Sequence, residues 1–191
     1  MTDTASRTST RDRLLDAAAE LFHREGIGVG VEELCRAAGV SKRSMYQLFG
    51  SKDEVVAASL DRRIPATAAH LMPAAGDGRS PRERILYPFE RLEESAAEPG
   101  FRGCPFVGTA VEVKSPEHPA STVARKAKNQ LTAFFEEEAR RGGATDPALL
   151  ARQLTVVFDG CNARAVVQAQ GLDGLAVTTA AALLDAGGLR A

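Results

Sequence analysis

The sequence predicts an all-α fold in two parts, a small N-terminal three-helix domain of helix-turn-helix type and a larger C-terminal helical domain. Three observations carry this. Apolar residues recur at the 3.6-residue spacing of amphipathic helices, with Ser, Gly and Pro punctuating the runs, and no segment shows the strict alternation of a half-buried strand. No tandem repeat or low-complexity tract interrupts the pattern. A compact cationic helix face occurs only within the first sixty residues. With 191 residues and 44% apolar content, the chain is large enough for one domain or two small ones, each with a core.

Residues 1–9, MTDTASRTS, lack periodicity and read as a mobile arm carrying Arg7. A first amphipathic helix starts near Ser9 or Thr10, with Leu14, Leu15, Ala18, Leu21 and Phe22 on one stripe and Gly26 as its stop. VEELCRAAG supplies a second, shorter helix, with Val31, Leu34, Cys35 and Ala38 inward and Gly39 at its end. Ser41 caps a third. At about 100° per residue, Met45, Leu48 and Phe49 form one apolar arc, while Lys42, Arg43, Tyr46 and Gln47 form the opposite one. SKDE at 51–54 has the pattern of a capping box and starts a fourth helix with Lys52 in its first turn. A cation at a helix N-terminus opposes the macrodipole, which predicts an anion docked there.

After Pro65 the charges scatter and alanine rises, so the predicted division is 10–60 for the first domain and 61–191 for the second. Helices are predicted from Ser80–Pro81 to about Glu98, from about Cys104 to Lys114, and from about Pro119 to Arg141. Two more run from about Asp146 to Gln170 and from about Asp173 to Ala186.

A short helix that presents Lys42, Arg43, Tyr46 and Gln47 after a tight turn fits the geometry in which such a helix enters the DNA major groove. Lys and Arg neutralise phosphates or donate to guanine, Gln pairs with adenine or a phosphate, and Tyr offers a hydroxyl on a rigid ring. Lys52 would clamp a neighbouring phosphate. The plain alternative is a solvated charged face. The formal net charge is −1, so any DNA attraction comes from this local patch and not from a global basic field.

The stretches LLDAAAELFHREG and VEELCRAAGVSKRSMYQLFGSKDEVV, in that order, resemble the DNA-binding domain of the TetR/AcrR family of bacterial transcriptional regulators. The resemblance covers about residues 10–60 and includes the Ala-Gly-Val-Ser turn, the Tyr46/Phe49 pair and Ser51–Lys52. It implies an all-helical homodimer that binds a double-stranded DNA operator, with a variable C-terminal domain that takes a small-molecule effector, dimerises and releases DNA on binding. By position it adds Ser44 to Tyr46, Gln47 and Lys52 as operator or phosphate contacts, with Lys42 and Arg43 at the leading end. Two departures stand out. Gly30 precedes the second helix where the family usually has a Thr or Ser cap, and Arg43 stands where a small residue is common.

Beyond residue 60 the resemblance thins to RGCPF at 102–106 and PEHP at 116–119. Apolar residues that could line an effector cavity are Leu71, Met72, Leu86, Phe89, Phe101, Cys104, Phe106, Val107, Phe134 and Phe158, with ordinary core packing as the alternative for each. The last two helices combine many small residues with Leu154, Val157, Val166, Val167, Ala180 and Leu183, a pattern suited to a four-helix interface across a twofold axis. A DNA-binding regulator with no small-molecule effector, constitutive or controlled by a protein partner, remains the alternative.

Other classes find little support. His23, His70 and His118 are isolated, and no metal-ligand spacing, nucleophile elbow, P-loop or dinucleotide motif appears, so neither enzyme nor cofactor is predicted. Cys35, Cys104 and Cys161 are widely separated, as in a reducing compartment. A polar N-terminus and the lack of a long apolar run predict a cytoplasmic protein with no membrane partner.

Overall fold

The computed structural model describes residues 9–189, so the arm expected at 1–9 falls outside it except for Ser9. Among the described residues there are nine α-helices and no strand: α1 Thr10–Glu25, α2 Val31–Ala38, α3 Lys42–Leu48, α4 Lys52–Leu71, α5 Pro81–Ala97, α6 Pro105–Val113, α7 Pro119–Arg141, α8 Pro147–Gln168 and α9 Leu175–Ala186. They form two compact units. One comprises the chain up to Arg63 with Thr109–Ala124; the other comprises Ile64–Gly108 and the chain from Arg125 onward.

In the first unit α1, α2 and α3 pack on one another around Leu14, Leu15, Leu34 and Met45, all fully buried. Local chemistry sets their ends. Ser9 accepts from the Asp12 N–H, Ser41 accepts from the Ser44 N–H, and Gly39 ends α2 at φ 63°, a left-handed value that costs glycine little. Leu48, expected on the core arc, is instead 41% exposed. Helix α3 stops at Leu48, and Phe49 takes extended backbone angles (φ −141°, ψ 132°). Leaving the helix lets Phe49 fill the inward place while Leu48 turns out. Helix α4 continues through Pro65 to Leu71; the ring gives up one backbone hydrogen bond without ending the helix.

The second unit is built on an aromatic centre. Phe89 stacks on Phe135 with centroids 5.7 Å apart and meets Phe158 edge-on at 5.5 Å, an arrangement favoured by the ring quadrupoles. Ser80 and Glu83 form a reciprocal capping box at the start of α5, and Asp146 caps α8. Glu93 serves α9 from a distance, accepting from the Gly174 and Val177 N–H groups at 2.8 and 3.0 Å, which satisfies donors that Gly174 cannot. Arg84 bonds Glu138 at 2.8 Å and Asp77 at 3.0 Å, so the buried Glu138 carboxylate is compensated.

Candidate nucleic-acid interface

Helix α3 turns Arg43, Tyr46 and Gln47 outward, with Tyr46 52% exposed, and none of the three side chains has a hydrogen-bond partner among the described residues. The inward face is anchored by Met45, whose sulfur lies 3.9 Å from the Cys35 thiol. Arg11 lies over the Phe49 ring, 5.3 Å from its centroid, and covers the aromatic face where α3 ends. A rigid inner face and an uncommitted outer face are what a groove-reading helix needs.

Three other residues expected at DNA already have internal partners. Lys42 pairs with Glu32 of α2, and hydrogen bonding to Lys42 holds the Glu32 carboxyl below the usual range while raising Lys42. Ser44 shares a hydroxyl–hydroxyl hydrogen bond of 2.8 Å with Ser41. Lys52 donates to the Ile27 and Val29 carbonyls at 2.6 and 2.9 Å. The cation at the start of α4 thus has an internal reason to be there, and its three N–H donors leave one uncommitted by those bonds. Ser51 caps through the Glu54 N–H, but Glu54 reaches back to the Gly50 N–H.

The second unit contains a narrow apolar cleft of about 410 Å³, counting the part open to solvent. Of the residues proposed for an effector cavity, Leu71, Met72, Cys104, Phe106 and Phe158 line it. Ile64, Thr67 and Ala68 of α4 and Ala127, Lys128, Gln130 and Leu131 of α7 also line it; no spacing in the sequence singled them out. Phe89 is fully buried in the core, Leu86 and Phe134 pack against that core, and none of them reaches the cleft. Phe101 lines a different cleft, between the C-terminal ends of α5 and α8, and Val107 lines neither. Lys128 is paired with Asp159 and lies over the Phe158 ring at 5.2 Å, which leaves the wall nearly neutral. Burial pushes the Cys104 thiol up, so it stays protonated at neutral pH.

On α8 and α9 the expected interface residues divide. Leu154 and Ala180 are fully buried in the core of their own chain and offer nothing to a partner, while Val157 and Leu183 pack against that core. Val166 and Val167 are exposed, at 45% and 77%. Leu149, Val156, Gly160, Ala163 and Val167 follow one another at helical spacing on the exposed face of α8, with Val156 at 72%. Among the described residues no His, Cys, Asp and Glu cluster could hold a metal ion, and no helix is long and apolar enough to cross a membrane.

A family profile for bacterial regulatory proteins of the tetR family matches residues 14–59, which hold most of α1, all of α2 and α3 and the start of α4. The crystal structure of a candidate TetR-type transcriptional regulator from Streptomyces avermitilis superposes with a TM-score of 0.93 at 59% identity, covering 95% of this chain and 100% of that one. A TetR-family transcriptional regulator from Streptomyces coelicolor superposes with a TM-score of 0.79 at 25% identity, over 93% of each chain. An uncharacterized HTH-type transcriptional regulator of Mycobacterium tuberculosis is 34% identical over 76 residues, 39% of this chain and 38% of that protein. The chain therefore spans about two fifths of the length of the curated relatives it matches first. The near-complete coverage at 59% identity, together with the matched helix-turn-helix segment, places this chain in the TetR family of transcriptional regulators.

Proposed function

We propose that the protein is a ligand-responsive repressor that binds a palindromic operator as a homodimer and is released by a small apolar or aromatic effector. The observation that carries the DNA half is the outer face of α3, where Arg43, Tyr46 and Gln47 stand exposed, with no side-chain hydrogen-bond partner among the described residues, opposite the buried Met45. Arg43 reads or neutralises, Gln47 pairs with a base edge or phosphate, and Tyr46 fixes register on the backbone. Ser44, Lys42 and Lys52 add contacts through donors their internal bonds do not use. One such helix covers few base pairs, so two heads about 34–36 Å apart are needed to read a palindrome. The exposed apolar stripe on α8, from Leu149 to Val167, supports pairing of two chains through α8 and α9.

The apolar cleft supports the effector half. Its neutral wall suits an uncharged apolar or aromatic molecule. Such a ligand can lower DNA affinity only by preferring one arrangement of the heads over another. Helix α4 is the lever, since it begins at Lys52 and carries Ile64, Thr67, Ala68 and Leu71 on the cleft wall. The narrowness of the cleft favours a second reading, a regulator with no small-molecule effector. An effector screen on protein bound to a selected operator decides between them. A compound that enters the cleft and raises the operator Kd supports the first reading, whereas binding in the cleft with no change in Kd refutes the release mechanism.

A further inference from the structure

Three consecutive residues of the loop that leads into α2 have backbone groups held by side chains from far along the chain. The Ile27 and Val29 carbonyls accept from Lys52, and between them the Gly28 N–H donates to Glu112 Oε1 at 3.2 Å. The loop is gripped by a cation on its acceptors and by a carboxylate on its donor. Gly26 makes room for this approach: at its φ of +85°, an added Cβ would lie 2.8 Å from Glu112 Oε1. A second tie sits nearby, where His118 Nε2 faces Asp53 Oδ1 at 3.4 Å while the Ala120 N–H donates to His118 Nδ1 at 3.1 Å. All these residues belong to the first unit.

The cap residue of α2 does not do the same work. Helices α1 and α3 begin on serine side-chain caps, but Gly30 at the start of α2 makes no side-chain cap bond. The start of α2 is therefore pinned from outside, and α2 is one of the two helices on which α3 rests. We propose that Glu112 is a positioning residue for DNA reading: with Lys52 it fixes the α1–α2 loop, and through α2 the angle at which α3 presents Arg43, Tyr46 and Gln47. This rests on the operator-binding reading above. Glu112 acts through the loop and α2 rather than through a charge of its own on DNA. A positioning residue affects base readout more than phosphate attraction, so its loss lowers affinity for the operator and spares affinity for random duplex.

The test uses the full chain as wild type, Glu112→Ala and Glu112→Gln. Glutamine keeps a side-chain oxygen that can accept from Gly28. Two quantities are read: the hydrogen-exchange rate of the Gly28 amide without DNA, and the Kd for a selected operator against a random duplex at the same salt. For Glu112→Ala the expected result is exchange and operator Kd each raised about tenfold, with the random-duplex Kd within about twofold of wild type. For Glu112→Gln both stay within about threefold of wild type. Unchanged Gly28 exchange in Glu112→Ala, an unchanged operator Kd, or equal shifts on operator and random duplex would overturn the proposal. A wild type that selects no DNA defeats the operator reading and the proposal with it, and the exchange rate then shows whether the tie itself exists.

Discussion

At Lys52 the ammonium bonds two loop carbonyls in the free protein, so its charge has an internal partner before any phosphate arrives. Lys52→Met keeps the stem and removes the donors. It should cost about 1–2 kcal/mol of stability in urea unfolding, the price of leaving half-buried carbonyls unsatisfied. A change within error would mean that water replaces the ammonium at no cost. Exposed carboxylates set the acid limit. Hydrogen bonds from Ser9 and then Arg62 hold the Asp12 carboxyl below its ordinary value, Lys42 does the same for Glu32, and the Ser80 backbone and hydroxyl do so for Glu83. Groups with depressed folded values add stability that is present above their unfolded values and lost as pH falls through the folded ones. The melting temperature should therefore be flat from neutral pH down to about 5 and fall below about 4.5; a decline that begins above pH 6 would point to other groups.

Among the elements, helix ends marked by local chemistry were legible in the sequence: Ser80–Pro81 and Asp146 name the starts of α5 and α8 because a cap acts within three residues. Leu48 was not, because a periodic arc assumes that the helix continues and α3 stops there. Leu154 and Ala180 were assigned to an interface because α8 and α9 are rich in apolar and small residues on more than one face, so periodicity alone cannot say which face turns inward. The observed packing assigns Phe89, expected in a cavity, to the core. Phe89→Ala should destabilise the chain by about 3–5 kcal/mol in denaturant unfolding; a loss below about 1 kcal/mol would show that the site collapses around the void. On the exposed stripe of α8, Val156→Asp with Val167→Asp should leave helix content unchanged and convert the proposed dimer to monomer in sedimentation. A dimer that survives both changes would move the interface elsewhere.

For the whole molecule, the helix proposed to read DNA was legible as a helix because its motif lies within a dozen residues, Ser41 to Lys52. The cleft lining and the Glu112 tie were not, since Ile64, Lys128 and Glu112 meet their neighbours across long stretches of chain and no spacing records that. The match places the chain in the TetR family of transcriptional regulators; what it reads and what releases it belong to the proposed function. The most direct measurement is fluorescence-anisotropy titration of a palindrome, taken from DNA flanking the gene or selected from random DNA, at two salt concentrations, with wild type and with Tyr46→Ala combined with Lys52→Ala. Tight binding by two chains per palindrome, falling steeply with salt and lost in the double variant, is the predicted result. Binding that survives the double variant, or no specific DNA recovered by selection while the dimer is intact, would contradict α3 as the reading helix.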